Sequence, residues 1–482
     1  MFSSHLVKSI PRPGRILRSG LFASVVLYTF ALFVHDPSRA QGAPEARVVL
    51  PASEPTFAAR SGAKFLQWAP SSRPVSLSIT LPLQHVDQLN SFLQHLNDPS
   101  DPLYHHYLTG DQFDALYGPS TADYDQVKSW VVDQGLTITK EYSSRTILNV
   151  TGSVDSVERA FGVKIADLQV PGGAVVYSHD RTPQVPQHIG AIISGVLGLS
   201  NASLHRRNHL IYQPVGRNSV SDPLSLIPSA GTGPAGGLAP TDVKTAYSLS
   251  GKVFTLSGPA TLSGQGQSVA LYELDTYDPN DVTVYASQFG LGTPNVTNVN
   301  VDGFNSPPGF AQIEVVLDID MVLALAPKTH VYVYQGQDMT SAVTDIYQQI
   351  ADDYGTTHAS VVSSSWGNDE ATDASAIAPE AAAFAKMQAQ GQTVFVAAGD
   401  FGAYENTVSL SVNDPASQPG VTGVGGTVLT TKSVGGPYDT ETGWDVLPVT
   451  SPFGPIGGGG GISSVWPKQR LLRKKCESVV LP

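Results

Sequence analysis

The sequence predicts two folded units: an α/β domain built on a doubly wound parallel sheet and, before it, a smaller α+β domain. Three observations carry this reading. Residues 238–467 alternate short, apolar, β-branched strands with amphipathic helices, the pattern of a parallel sheet covered on both faces. Residues 59–200 run β-α-α-β-α-β, which suits helices on one side of an antiparallel sheet. Residues 201–237 are rich in Ser, Pro, Gly, Asn and Arg and lack periodicity, which marks an exposed linker.

The elements follow in order. SLSITLPL (76–83) alternates as a strand does, and HVDQLNSFLQHL (85–96) repeats Val86, Leu89, Phe92 and Leu93 at helical spacing. Ser120 is a candidate N-cap for a helix reaching residue 135 that buries Val127, Trp130 and Val131. TILNVTG (146–152) predicts a strand and SVDSVERAFG (153–162) a third helix. In the second unit the strands are SVALYEL (268–274), THVYVYQ (329–335), ASVVSSS (359–365) and TVFVAAG (393–399). Helices are expected over 278–290, 311–326, 339–355 and 373–391. Ligand sites in such sheets lie beyond the carboxyl ends of the strands, where SSSWG (363–367) and AAGDFG (397–402) fall.

Composition narrows the function. With 41% hydrophobic and 14% charged residues in a chain of 482, the protein has material for two or three domains and is too apolar to stay disordered. The net charge of -13 argues against nucleic acid as a partner, because phosphates need a basic footprint. Cys476 is the one cysteine, which rules out a disulfide within these residues and a cysteine zinc site. Lys8, Arg12, Arg15 and Arg18 precede a charge-free apolar run over 21–34, and Ser38-Arg39-Ala40 follows. This predicts a signal peptide over 1–40 and a secreted product. A membrane anchor is the alternative, but the run is short of the roughly 20 residues a span needs. No other stretch reaches that length, so no membrane contact is expected after signal cleavage. Exposed linkers concentrate proteolytic nicking, so a processing site is expected near Arg206-Arg207 or within 230–238.

Three groups of residues carry candidate chemistry. Glu314 and Asp318 stand four residues apart in a helix, on one face and about 5–6 Å apart at Cβ. Such a pair either forms a solvated helix face or shares a proton and acts as a base in acid, where histidine is already protonated. Val315, Val316, Leu317, Ile319, Val322 and Leu323 surround the pair, so the helix is expected to be largely buried, and buried carboxylates are costly. Asp320 falls on a different face and reads as structural. Asp400, between glycines at a strand end, is either a turn or cap residue or, when protonated, a hydrogen-bond donor to a developing oxyanion. Ser363, Ser364, Ser365 and Trp366 form either a turn with a packed indole or a substrate-lining edge. His105-His106 and His205/His209 lack a metal-binding helix pattern and read as surface residues.

Taken together these motifs resemble the sedolisin family, the serine-carboxyl peptidases. The resemblance rests on SDPLYHHYLTGDQFDALYGPS (100–120) and RTILNVTGSVDSVERAFGV (145–163) in the first unit. In the second it rests on APTDVKTAYSL (239–249), Glu314/Asp318 with ALAP (324–327), SSSWGNDE, AAGDFG, SQPGVTGVGGT (417–427), ETGWD (441–445) and GGGGGISSVWP (457–467). It implies a ferredoxin-like activation prodomain over 59–200 and a subtilisin-like catalytic domain over 238–467. It also implies a monomeric zymogen that cleaves polypeptide substrates at acid pH under the restraint of its own prodomain. Glu314 would be the general base, Asp318 its orienting partner and Asp400 the oxyanion residue. Glu273 and Trp366 would extend the hydrogen-bond network, and Ser363 to Trp366 would line the substrate cleft.

The sequence also departs from the family. The family's nucleophile lies in a Gly-Thr-Ser motif, and no such triplet occurs in these residues. Ser463 and Ser464 match family positions that are not the nucleophile. KQRLLRKKCESVVLP (468–482) changes character abruptly, with five Lys or Arg in 15 residues. The resemblance therefore implies a C-terminally truncated and inactive copy with an incomplete catalytic domain. It also implies one calcium ion for the family, with ligands falling beyond the present motifs. A non-catalytic inhibitor or chaperone built on the prodomain is the alternative reading.

Overall fold

The structure is a computed structural model that describes residues 45–50, 52–53, 62–170, 173–202, 206–207, 231–249, 252–255, 258–372, 374–406, 409–445 and 456–466. The expected signal peptide, most of the linker and the basic tail lie outside the described residues. No helix among the described residues is long and apolar enough to cross a membrane.

In the first unit four antiparallel strands lie side by side in the order Gly195–Leu197, Pro74–Thr80, Ile147–Ser153, Thr137–Glu141. Numbered along the chain this is 4-1-3-2, a ferredoxin-like sheet. The helices Thr121–Asp133 and Val154–Phe161 cover one face, where Val127, Trp130, Val131, Val157 and Phe161 meet Leu77, Ile79, Leu148 and Val150. The backbone N–H of Asp123 donates to Ser120 Oγ, so Ser120 caps its helix. Sequence reading missed two kinds of element here. Thr137–Glu141 and the three-stranded sheet of Lys64–Trp68, Ile165–Gln169 and Val175–His179 are short and partly exposed, so their alternation is weak. Gly110–Tyr117 is a short helix held by a capping box at Thr109 and Gln112.

The elements that build the centre of the second unit are β1 (Ser268–Glu273), α1 (Pro279–Gln288), β2 (Val296–Asn300), α2 (Gln312–Leu325), β3 (His330–Gln335), α3 (Thr340–Thr357), β4 (Ala359–Ser364), β5 (Trp366–Asp369), α4 (Ile377–Gln390), β6 (Thr393–Ala397) and β7 (Val421–Val424). Six strands form one parallel sheet in the order β2-β3-β1-β4-β6-β7. The edge strands β2 and β7 are too short and polar to stand out in the sequence. On one face α1 and α2 bury Val282, Val315, Ile319 and Leu323 against Leu271, Val331 and Val333. On the other, α3 and α4 bury Ile346, Tyr347, Phe384 and Met387 against Tyr272, Val362, Val394 and Val396.

The two units are joined by packing that the sequence reading did not anticipate. The helices Val86–Leu96 and Gly110–Tyr117 do not cover their own sheet. Leu89, Phe113 and Tyr117 pack instead with Ala389 of α4. Beside them Lys386 of α4, 1% exposed, lies 2.8 Å from Asp114 Oδ1 of the first unit and 2.7 Å from Asp352 Oδ1 of α3. Asn149 Nδ2 donates to Asp345 Oδ2 of α3 at 2.7 Å. Burial, and then the charge of Asp302, push the Asp345 carboxyl well above its ordinary range.

Removing one partner of a buried ion set costs about 3–5 kcal/mol, because the remaining charges stay out of water. Lys386→Met is therefore expected to lower the urea midpoint of the chain at pH 7 by an amount corresponding to about that energy. An unchanged midpoint would show that Asp114 and Asp352 do not depend on Lys386.

Candidate active site

Glu273 and Asp318 come together at the carboxyl edge of the parallel sheet, and the turn that carries Asp400 leaves the sheet at the same edge. Tyr272 of β1 pairs with Ser364 of β4, and Ser364 with Val396 of β6. Glu273, Ser365 and the turn that carries Asp400 therefore leave the sheet on the same side. The helix α2 follows β2 and precedes β3, so its N-terminal turns return to that edge and place Glu314 and Asp318 over it.

Glu314 is 1% exposed and Glu273 is fully buried. Ser365 Oγ donates to Asp318 Oδ1 at 2.8 Å, and Trp366 Nε1 donates to Glu273 Oε2 at 3.0 Å. The Glu273 and Asp318 carboxyls lie close enough for each to shift the other. Burial first, and the charge of Asp318 second, push the Glu273 carboxyl well up. Burial pushes Asp318 up to about 6, against the lowering effect of the hydrogen bonds from Ser365 and Glu273. Two acids so placed share a proton, since both cannot ionise at close range out of water.

Asp400 sits at the turn after β6, 7% exposed. Gly399 has φ +98°, and a Cβ there would come 2.2 Å from Glu405 Oε2. Only glycine allows this approach, and it brings Asp400 beside Glu405. Burial first, and the Glu405 charge second, push the Asp400 carboxyl up to about 7. The backbone N–H groups of Gly457 and Gly459 donate to the carbonyls of Asp400 and Gly399, both at 2.8 Å, so the glycine run lies along this turn.

The serine and tryptophan segment is less open than a cleft wall. Ser364 is 1% and Trp366 2% exposed, while Ser363 and Ser365 are half-buried. The indole faces Glu273, and Ser365 is spent on Asp318. Beyond it, Arg206–Arg207 of the linker pairs antiparallel with Trp366 and Gly367 at the start of β5. His105 and His106 are exposed, and His205 and His209 lie outside the described residues.

Other groups had little or no signal in the sequence. Glu370 accepts hydrogen bonds from Ser417 Oγ, Ser463 Oγ and Ser464 N and Oγ. Burial works to raise its carboxyl, and these bonds outweigh it and hold it low. Nothing in the sequence pointed to Glu405. Asp320, on the far side of α2, is pushed up to about 7 by burial and then by Asp281 of α1. Most of α2 is buried or half-buried, as expected, but Ile313, Leu317, Met321 and Leu325 are 49%, 38%, 48% and 39% exposed. The reason is that helix burial depends on what lies beside the helix as well as beneath it. Among the described residues no group of three or more His, Cys, Asp or Glu converges to hold a metal, so the calcium implied by the resemblance has no fitted ligand set here and enters no step.

The comparisons with known proteins agree on one kinship. The pro-kumamolisin activation domain matches residues 61–202, and the subtilase family matches residues 291–451. Kumamolisin of Bacillus sp. (strain MN-32) is 30% identical over 403 residues, covering 82% of this chain and 68% of kumamolisin. Sedolisin of Pseudomonas sp. (strain 101) is 29% identical over 441 residues, covering 87% of this chain and 70% of sedolisin. A solved Pseudomonas sedolisin, a serine-carboxyl proteinase complexed with two molecules of pseudo-iodotyrostatin, aligns at TM-score 0.42 with 27% identity. It covers 48% of this chain and 64% of that one.

The raised carboxyls make a stability prediction whose sign is fixed. Asp318, Asp320 and Asp400 stand near 6, 7 and 7 in the fold, against about 4 in an unfolded chain. A raised acid adds stability below its unfolded value and loses it as pH climbs through its folded value. The second unit should therefore unfold at lower urea at pH 7.5 than at pH 4, and Asp318→Asn should flatten that slope. A midpoint that rises from pH 4 to pH 7.5 would contradict the assignment.

Proposed function

Because the chain belongs to the sedolisin family, we propose that it is the secreted precursor of an acid-acting serine-type endopeptidase. Residues 59–200 act as its prodomain, and Glu314, Asp318 and Asp400 as three members of a four-membered site. The observation that carries this reading is that Trp366 bonds Glu273 and Ser365 bonds Asp318 at the carboxyl end of the sheet, beside the helix that also bears the buried Glu314. Secretion rests on the basic and apolar pattern of residues 1–40, and the prodomain role on the match to the activation domain. The pairing of Arg206–Arg207 with the start of β5 supports a linker that restrains the site until it is cut.

In this reading a serine Oγ attacks the carbonyl carbon of a peptide bond and its proton passes to the Glu314 carboxylate. Asp318 and Glu273 share a proton behind it and steady its charge. The carbonyl electrons move to oxygen, and the oxyanion accepts a hydrogen bond from protonated Asp400. The C–N bond breaks as the proton on Glu314 goes to the leaving amine, and a water molecule, giving its proton to Glu314, then attacks the acyl-serine ester and frees the acid and the serine. Asp400 donates only while it holds its proton, so this assistance fades as pH rises through about 7. The 482 residues contain no Gly-Thr-Ser, so by themselves they supply base and oxyanion donor without the nucleophile.

Two assays test this. The purified chain, given casein or a fluorogenic peptide at pH 3–5, is expected to show no serine-dependent turnover, and such turnover would overturn the missing-nucleophile part. The chain fused to the Gly-Thr-Ser-bearing segment of kumamolisin is expected to cleave at acid pH. Glu314→Gln in that fusion should lower kcat at least 100-fold, in the range of general-base loss. Equal activity of the Gln variant would overturn the role of Glu314.

A further inference from the structure

The glycine run along the Asp400 turn has no side chains of its own to hold it there. Besides the bonds from Gly457 and Gly459, the N–H of Gly402 donates to the carbonyl of Gly457 at 3.1 Å, and that of Gly460 to the carbonyl of Gly402 at 3.2 Å. A Cβ on Gly459 would come 1.8 Å from the carbonyl oxygen of Ala398, so the backbone of the run is pressed onto the backbone of the turn. Glycine loses more conformational freedom on ordering than any other residue, and residues 460–462 are exposed. Holding such a segment in register calls for an anchor at its far end.

Glu370 has the geometry of that anchor. Past Gly461, which runs over Val412, the chain reaches Ser463 and Ser464. Glu370, 3% exposed, accepts at Oε1 from Ser417 Oγ at 2.7 Å and from Ser463 Oγ. At Oε2 it accepts from the backbone N–H of Ser464 at 2.9 Å and from Ser464 Oγ at 3.0 Å. Ser463 Oγ in turn accepts from the N–H groups of Val465 and Trp466 at 3.1 and 2.7 Å, which closes the turn that follows. Glu370 is itself fixed. It directly follows β5, its own N–H donates to the carbonyl of Val412 at 3.2 Å, and β5 pairs antiparallel with Asn413–Asp414. Three stretches far apart in sequence thus meet on one carboxylate. All four donors are neutral, and a carboxylate can accept from all of them, whereas an amide would turn an N–H of its own toward one. Burial works to raise this carboxyl, and the four bonds outweigh it and hold it low. Glu370 therefore keeps its charge in acid, and hydrogen bonds to an ionised group are roughly twice as strong as neutral ones.

We propose that Glu370 is a positioning residue for the oxyanion aspartate: by anchoring Ser463 and Ser464 it holds the glycine run against the turn that carries Asp400. This rests on the peptidase reading above for what Asp400 does. It gives a task to two serines that are not the nucleophile, and to an acid at the end of SSSWGNDE that takes no part in the proton relay. The run keeps water from the turn, so the burial that raises the Asp400 carboxyl depends in part on an acid that touches neither Asp400 nor the substrate.

Two readouts on the full chain test this, the carbon-13 titration midpoint of Asp400 and hydrogen exchange at the Gly457 and Gly459 amides. Glu370→Ala is expected to lower the Asp400 midpoint by about one pH unit or more and to speed exchange at both amides at least about 10-fold. The midpoint of Asp318 should stay near 6. Ser463→Ala with Ser464→Ala leaves the charge of Glu370 in place and disturbs the fold less, and it should move both readouts in the same direction. Glu370→Gln, which keeps an acceptor for the Ser417 and Ser463 hydroxyls, should recover part of each. Unchanged amide exchange in Glu370→Ala would overturn the proposal. So would an Asp400 midpoint that moves with Glu370→Ala and not with the serine pair, which would show that Glu370 acts by its charge alone. An Asp318 midpoint that moves as far as that of Asp400 would also overturn it, because it would mean a general loosening of the unit. Neither readout needs turnover, so failure of the kumamolisin fusion to cleave counts against the catalytic reading and leaves the anchor standing.

Discussion

The second unit depends on carboxylic acids held out of water with neutral hydrogen-bond partners. Glu273, Asp318 and Asp400 are offered an indole N–H, a serine hydroxyl and other acids, and no lysine or arginine is among those partners. A buried carboxylate with no cation holds its proton to higher pH. Such a site is arranged for a medium in which sharing a proton costs little. In neutral water the same acids ionise against one another, and the fold loses part of its stability.

The rest of the fold serves that arrangement. Parallel register aligns the ends of β1, β4 and β6, and α2 brings Glu314 and Asp318 down over them. The buried cation of the first interface, Lys386, answers a different need. It joins the α3 and α4 layer to the first unit through Asp352 and Asp114, on the opposite face of the sheet from the acids of the site. The two faces thus differ: one is sealed by α3, α4 and the first unit, and on the other, among the described residues, Phe395 and Val424 of β6 and β7 stay exposed.

Much of this was legible in the residues. The four central strands, the four helices and the Ser120 cap follow from periodicity and capping chemistry. Glu314 and Asp318 stood out because acids recur at helical spacing within an apolar run. The link from Trp366 to Glu273 spans 93 positions and came only with the family resemblance, since no spacing rule reaches across a sheet register. Ser365 as the donor to Asp318 and Glu405 as the neighbour of Asp400 are tertiary facts with no local pattern. The exposure of Leu317 was misread because sequence shows a residue's apolarity and not its cover. The docking of the Val86–Leu96 helix on another domain's helix was hidden for the same reason.

Everything above turns on the buried acids of the site keeping their protons well above the usual carboxylate range. Carbon-13 NMR titration of the Asp and Glu side-chain carboxyls in the intact chain measures this directly, with Asp318→Asn and Asp400→Asn for assignment. The account predicts carboxyl resonances with midpoints near 6 and near 7 that these substitutions remove in turn. Midpoints for both residues at the ordinary value of about 4 would contradict it.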